Sequence, residues 1–432
     1  MRIKRSLKNS SRNGDLFKQV FSYTALNVFE KLIPFFLIPY LSKVLTENGL
    51  GMYMIFRAVL PVLLPIISLN TYSAITLVFF RLDGTTFTRY LSSVAKMFFV
   101  FSLIAFLFFQ VFDDIVSKSI GFSDSYFVIF LVIVFFEYFF IIYRELYRLK
   151  NRPIIYGLLT MSKTILVNGI GIALLAIKGL NWSNLLFGHL YGITIVGMFS
   201  IWKLILEGYL TNTFDRHFAK DSIKLGSPLA LNGVGNFLSG TANRLVIGIA
   251  LGAAATASFG VAAFFGGIMG VIEGGFNKAF TPYLFRTLSA ISCESDEVKI
   301  EEIKRLNRLQ LQIYILFILV AFSLILLGQF MFEMIFDVNK YSQSKRFIAP
   351  ITLAFLLKGL SKYKVNFIFF TKQTRRLPKI TLVTGMLNII LAFLGAKYFG
   401  LLGVAYSLLL TMLIQFLFTN YESKRAFSNE SI

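Results

Sequence analysis

The sequence predicts an all-α polytopic membrane protein, with twelve transmembrane helices arranged as two six-helix lobes around a central cavity. Three observations support this fold class. Hydrophobic residues make up 56% of the 432 positions, charged residues only 15%, and the mean hydropathy is +0.70; a water-soluble domain does not tolerate this composition. Apolar runs of about 20 residues, the length that crosses a bilayer, recur along the whole chain. Short basic loops separate these runs.

The apolar runs define the elements in order, and several contain prolines that predict kinks. A loop near 211–220 divides the chain into an N-terminal lobe, residues 1–210, and a C-terminal lobe, residues 211–432. Spans one, two, seven, eight and ten each contribute a polar or cationic face. The twelve spans lie at about 17–42, 50–80, 94–112, 125–147, 155–177, 183–205, 222–250, 256–285, 309–329, 345–370, 379–397 and 401–421.

The basic residues predict the orientation of the spans. Clusters at 144–152, 304–308 and 372–379 fall on one side, together with the basic start at 1–18. The opposite side carries mostly isolated lysines and several acids. Because basic loops remain in the cytoplasm, we expect both termini there and expect 1–18 to be a retained tail rather than a signal peptide. The same rule explains the net charge of +21 without a nucleic-acid partner.

The stretch 227–286 carries polar groups at helical spacing inside apolar sequence. Spaced identities relate it, at a constant offset, to 22–81, which indicates that the two halves are repeats. Polar groups in lipid are costly, so they usually face a bundle interior or a water-filled cavity. The two polar faces are formed by Asn232, Asn236, Ser239 and Asn243, with Arg244 adjoining, and by Gly266, Gly270, Glu273 and Asn277.

Basic residues inside the predicted spans are a second set of candidates. A charge at mid-bilayer costs at least about 2.5 kcal/mol, although a long side chain near a span end can reach the interface instead. A cavity lined by these cations would be net positive and would bind an anion such as phosphate or diphosphate. We single out seven basic residues, Lys31, Arg57, Arg244, Lys278, Lys358, Lys362 and Lys364, against three acids, Glu30, Glu137 and Glu273.

Signals for other chemistry are missing from the sequence. It contains no phosphate-binding loop motif and no acidic pair typical of metal-dependent glycosyltransferases. One cysteine and two histidines do not form a metal-ligand pattern. We therefore expect no cofactor and no enzymatic activity.

Several short motifs resemble those of a known family. Leu-Phe-Lys at 16–18 leads into the first span, a short turn at 46–50 follows, and a Gly-x-Tyr sequence at 51–53 begins the second span. A Gly-x-x-Gly-x-Ala run at 400–405 separates the last two spans. With twelve spans and no large loop, the chain resembles the polysaccharide flippases, Wzx-type, of the multidrug/oligosaccharidyl-lipid/polysaccharide exporter superfamily. It departs from them at 47–49, where Glu-Asn-Gly replaces the family's frequent Gly-Pro turn.

The resemblance implies a bacterial inner-membrane protein of O-antigen or capsule assembly. Its substrate would be an oligosaccharide on an undecaprenyl diphosphate carrier, with membrane lipid and other polysaccharide-assembly membrane proteins as partners. Lys358 and Lys362 share one helix face and belong to the same predicted site. On this resemblance Lys31, Arg57 and Arg244 would bind the diphosphate or an acidic sugar. Glu273 would be the ion-coupling group, and sugar hydroxyls would contact Asn232, Asn236, Asn243 and Asn277.

Two alternatives remain open. A multidrug or cation antiporter of the same fold would usually bind organic cations and need an acidic cavity. An O-antigen polymerase or ligase would carry a long basic outer loop. The predicted outer loops are at most about 20 residues long by these span boundaries.

Overall fold

The computed structural model describes residues 33, 35–120, 126–291, 296–371 and 377–428. These residues are almost entirely helical and contain no strand. The helices of the N-terminal half are α1 Phe35–Val44, α2 Glu47–Ser68, α3 Thr71–Val78, α4 Gly84–Ile120, α5 Tyr126–Leu149, α6 Pro153–Lys178 and α7 Trp182–Leu206. The helices of the C-terminal half are α8 Arg216–Asn236, α9 Asn243–Leu251, α10 Ala253–Ile291, α11 Asp296–Ile335, α12 Val338–Tyr341, α13 Lys345–Phe370 and α14 Leu377–Ser428.

Every predicted span overlaps one of these helices, so the all-α membrane fold class is confirmed. Eight stretches among the described helices are long and apolar enough to cross a membrane. The helix α13 coincides with the tenth predicted span but is not one of the eight, and it carries Lys358, Lys362 and Lys364. The eight stretches are Glu47–Ser68, Gly84–Val111, Tyr126–Leu149, Pro153–Lys178, Trp182–Leu206, Ala253–Ser289, Lys304–Ile335 and Leu377–Ala426.

Two predicted spans contain breaks, a third break lies between two spans, and each has an identifiable backbone cause. The span predicted at 50–80 is two helices, because Leu69 and Asn70 adopt left-handed φ values of 46° and 56°. The span predicted at 222–250 is interrupted by a π-helical turn, Phe237–Thr241. Within α14, Gly400 has φ 59° and ψ −144°, a conformation open to glycine, and it separates the last two predicted spans.

The described residues form two compact units. The first unit contains residues 35–37 and 60–230, and the second contains residues 38–59 and 231–428. Both α2 and α8 run from one unit into the other. The lobe boundary predicted at residue 210 stays a prediction.

The first unit has an aromatic core between α3, α4 and α5. Phe98 stacks on Tyr138 with ring centroids 3.6 Å apart, and the Tyr138 hydroxyl lies 3.0 Å from the Thr71 hydroxyl. At the start of α4, Asp83 Oδ1 accepts the Thr86 N–H at 2.7 Å. This backbone hydrogen bond, assisted by those of the Thr86 and Thr85 side chains, lowers the pKa of the exposed Asp83 carboxyl.

In the second unit α13 packs against α10, α11 and α14. Its core contains Phe280, Phe317 and Tyr363, and the Phe280 and Tyr363 rings stack at 5.1 Å. This packing places one face of α13 against α10, and that arrangement positions the candidate site.

Candidate functional site

A cavity of about 190 Å³ lies inside the second unit. Since pockets that enclose drug-sized ligands have volumes of roughly 300–1,000 Å³, the cavity has room for a small polar group rather than a whole oligosaccharide. Arg244 of α9 and Lys358 of α13 are the basic residues of its wall, and the described lining includes no acid. The rest of the wall is formed by Gly240, Thr241, Phe259, Ala263, Ile351, Ala354, Phe355, Leu408 and Met412.

The π-helical turn and a glycine allow the two cations to reach the cavity. A π-helical turn contains an extra residue, which changes the direction of every following side chain by about 100°. Arg244 is the third residue after this turn, which ends at Thr241. Lys358 Nζ lies 5.9 Å from the centre of the Phe355 ring. A Cβ on Gly240 would lie 3.8 Å from the same nitrogen, so the missing side chain leaves space beside the ammonium group.

Like charges approach one another around this cavity. Arg57, on the part of α2 that belongs to the second unit, interacts electrostatically with Arg244. Lys358 and Lys362 likewise repel each other electrostatically. Within the described ranges no carboxylate forms an ion pair with Arg57, Arg244 or Lys358. Glu273 compensates this repulsion only in part, and the remaining positive charge in a low-dielectric interior favours a bound anion.

Glu273 is a buried acid beside this cluster. Its Oε1 is in very short contact with Lys362 Nζ, and it also attracts Lys358. The Glu273 side chain is 3% exposed and that of Lys362 is 44% exposed. Gly359 lies against the carboxylate, since a Cβ there would be 3.1 Å from Oε2. Oε2 has no hydrogen-bond partner among the described residues.

An amide network follows Glu273 along the interface of α10 and α13. Asn366 Nδ2 donates to Asn277 Oδ1 at 2.6 Å. The Thr281 hydroxyl is 2.6 Å from the Asn277 carbonyl and 3.2 Å from Asn366 Oδ1. Asn277, a predicted sugar-binding residue, is therefore half-buried and already hydrogen-bonded inside the second unit.

The remaining predicted residues do not line this cavity. Asn243 is fully buried, and its Oδ1 accepts a hydrogen bond from Asn388 of α14 at 2.7 Å. Asn232 is half-buried, while Asn236 is exposed and donates to the Asn232 carbonyl at 3.0 Å. Lys31 lies outside the described residues. The structure thus places Arg244 and Lys358 on one cavity with Arg57, Lys362 and Glu273 near them, and the binding roles of all these residues stay predictions.

Sequence analysis missed an ion pair in the first unit. Lys163 Nζ of α6 lies 2.5 Å from Glu137 Oε1 of α5, and each side chain is 18% exposed. Lys163 Nζ also lies 5.3 Å from the centre of the Phe140 ring. The signal was available, because Lys163 falls well inside the span predicted at 155–177, although it was not among the seven basic candidates. In the described ranges no group of His, Cys, Asp or Glu is placed to hold a metal ion.

Comparison with solved structures identifies the fold. The chain is similar to a multidrug resistance MATE family transporter of the MOP superfamily in its inward-facing conformation, with a TM-score of 0.66, 15% identity and coverage of 92% of this chain and 96% of that one. It is similar to the bent form of the Vibrio cholerae MATE transporter VcmN, with a TM-score of 0.60, 16% identity and coverage of 96% and 97%. The chain is also similar to a MOP superfamily transporter from Pyrococcus furiosus, with a TM-score of 0.59, 11% identity and coverage of 95% of this chain and 96% of that one. That transporter is described as having a binding pocket of reverse polarity, which suggests a different function.

These similarities extend over nearly the whole chain and show that this multi-pass membrane protein shares the fold of the MATE transporters. No family model matches the chain, and no curated protein matches it. The neighbours described as multidrug resistance transporters agree with the multidrug alternative of the sequence analysis better than with a polysaccharide flippase. At these identities the resemblance defines the fold and leaves the substrate to be argued from the site.

Proposed function

We propose that this chain is an alternating-access transporter, not an enzyme, and that the cavity at Arg244 and Lys358 binds an anionic group of its substrate. The observation that carries the proposal is the charge of the cavity wall: among the described residues, both charged residues of this wall are cations. Arginine and lysine bind phosphate oxygens through charge-assisted hydrogen bonds. An organic cation in the same place would be repelled.

The substrate class we propose is an undecaprenyl-diphosphate-linked oligosaccharide of O-antigen or capsule assembly, flipped from the cytoplasmic to the periplasmic leaflet. This carrier supplies a diphosphate at the membrane surface, and the cavity volume of about 190 Å³ suits a headgroup rather than the glycan. The sugars and the lipid tail would lie outside the cavity. We place the protein in the bacterial inner membrane with both termini in the cytoplasm, the orientation that the positive-inside rule favours.

One structural neighbour supports a change of substrate class within this fold. The Pyrococcus furiosus transporter is described as having a binding pocket of reverse polarity and, for that reason, a different function. The charge of the pocket is therefore the feature to use when assigning a substrate to a chain with this fold.

Multidrug export is the second candidate, and the neighbours described as multidrug resistance transporters favour it. It requires a place for an organic cation. Glu273 and Glu137 are carboxylates within spanning helices that could attract one, but both are paired with lysines. This candidate predicts efflux of cationic dyes, which the anionic-substrate proposal does not.

A genetic experiment separates the two candidates. Deleting the gene in its host should leave lipid-linked repeat units on the cytoplasmic leaflet, with their synthesis intact. The wild-type gene and the Arg305→Gln variant, changed at an exposed arginine, should restore the polysaccharide. The double variant Arg244→Gln/Lys358→Gln should not. Normal surface polysaccharide in the deletion strain, together with lost dye efflux, would overturn the flippase proposal in favour of multidrug export.

A further inference from the structure

The ion pair between Glu273 and Lys362 is asymmetric. The carboxylate is almost fully buried, whereas the lysine side chain is 44% exposed. Lys362 lies one helical turn after Lys358, so the two lysines share a face of α13. Lys358 lines the cavity, whereas Lys362 contacts Glu273 beside it, and the flexible four-carbon stem of a lysine allows its ammonium group to change direction.

We propose that Glu273 is an internal counter-ion that competes with the anionic substrate for Lys362, so that binding of the anion is linked to uptake of one proton by Glu273. This inference rests on the proposed function, because it specifies how the same cavity is regulated. In the free protein Glu273 neutralises Lys362. In the bound protein the substrate anion does so, and Glu273 carries a hydrogen instead.

The physical reason is the cost of an unpaired buried charge. When Lys362 turns away, Glu273 keeps no ion-pair partner in direct contact, and its Oε2 already lacks a hydrogen-bond partner among the described residues. A buried carboxylate without compensation becomes neutral rather than remain charged. The proton comes from the aqueous phase and forms one O–H bond on Glu273, and no other covalent bond changes.

The charged neighbours of Glu273 are few. From α13, Lys362 and Lys358 face it. From α9, Arg244 lines the adjoining cavity. Three further elements pack on α10: α11, α14 and the turn Ser342–Ser344. No side chain in their described parts forms an ion pair with Glu273. Whether Glu273 is charged or neutral therefore depends on Lys358 and Lys362 of α13.

Linkage gives the sign of the pH effect. If the bound state holds one more proton than the free state, the affinity for the anion falls about tenfold for each unit of rising pH over the range where the proton is taken up. In the Glu273→Gln variant the side chain is always neutral. Its affinity should therefore lack this dependence and should exceed that of the wild type at high pH.

The test uses the full chain in detergent and geranyl diphosphate as the probe. Calorimetric titration in buffers of different ionisation enthalpy gives the protons taken up for each bound anion. The wild type should take up about one proton more than Glu273→Gln, because the ionisations of the probe itself are common to both. Glu137→Gln, which removes the acid of the comparable ion pair in the first unit, is the matched control and should behave as the wild type.

A second variant keeps the test decisive if Glu273→Gln does not fold. In Lys362→Gln the buried Glu273 lacks its lysine even in the free protein, so anion binding should bring no extra proton. Equal proton uptake in the wild type and in either variant would overturn the linkage. Absence of any geranyl diphosphate binding by the folded wild type would instead overturn the proposed function, so the two failures are distinguishable.

Discussion

Asn388 of α14 donates its Nδ2 hydrogens to Asn243 Oδ1, at 2.7 Å, and to the Leu238 carbonyl, at 2.8 Å. Both asparagine side chains are fully buried. Leu238 lies in the π-helical turn, and Asn243 begins α9 directly before Arg244. The asparagine pair therefore holds the broken helix that brings Arg244 to the cavity.

This pair predicts an order of stabilities. Asn388→Ala removes two hydrogen bonds and should cost about 2–4 kcal/mol, whereas Asn243→Ala leaves Asn388 bonded to Leu238 and should cost about 1–2 kcal/mol. Thermal unfolding of the purified protein in detergent measures the difference. The exposed Asn236→Ala serves as the control and should be nearly neutral. An equal loss of stability in both buried variants would show that the Leu238 bond contributes nothing.

The ion pair of the first unit predicts a coupling. Glu137→Gln or Lys163→Met alone leaves one charge without its partner and should destabilise by about 1–3 kcal/mol. The double variant should lose less than the sum of the two single losses, because it leaves no unpaired charge. The unfolding midpoints of the wild type, the two single variants and the double variant give the coupling energy between the two side chains. Additive losses would mean that the pair is not coupled.

The contact of α6 with α7 predicts a steric effect. A Cβ on Gly188 would lie 2.2 Å from the Gly171 Cα, whereas a Cβ on Gly169 meets nothing within 4 Å. Gly188→Ala should separate the helices and lower the folded yield sharply, while Gly169→Ala should stabilise or leave the protein unchanged. Size-exclusion chromatography after detergent extraction compares them. A well-folded Gly188→Ala protein would contradict this packing.

A larger apolar side chain in the cavity should weaken anion binding without changing the charge of the site. Ala263 lines the cavity, so Ala263→Leu should occupy part of its volume and weaken geranyl diphosphate binding at least about tenfold, or about 1.4 kcal/mol. Met412→Leu, at another lining position, conserves volume and should keep the affinity. Unchanged binding by a folded Ala263→Leu protein would place the anion elsewhere.

Much of the fold was predictable because the length and apolarity of each span are properties of local sequence. The breaks were not, since the left-handed pair Leu69–Asn70 and the π-helical turn Phe237–Thr241 depend on how each helix packs. At the site, hydropathy identified Arg244 and Lys358 as costly intramembrane cations. It did not distinguish Asn243, whose amide is hydrogen-bonded to Asn388 in a helix contact, from a side chain facing a cavity.

Pairing also depends on tertiary contacts. Glu273 and Lys362 are 89 positions apart in sequence, and their contact follows only from the packing of α10 against α13. The same holds for Glu137 and Lys163, which belong to different spans. Counting acids and bases along the sequence therefore gives the sign of the excess charge without showing which cations are left for a ligand.

The proposed anion site in the cavity of the second unit can be tested directly. The most direct measurement is equilibrium binding of geranyl diphosphate and of tetraphenylphosphonium to the purified wild type and to Arg244→Gln/Lys358→Gln. We expect the wild type to bind the diphosphate and not the cation, and we expect the double variant to lose at least about 100-fold in diphosphate affinity, or about 2.7 kcal/mol. Tight binding of tetraphenylphosphonium, with no binding of geranyl diphosphate, would contradict the account.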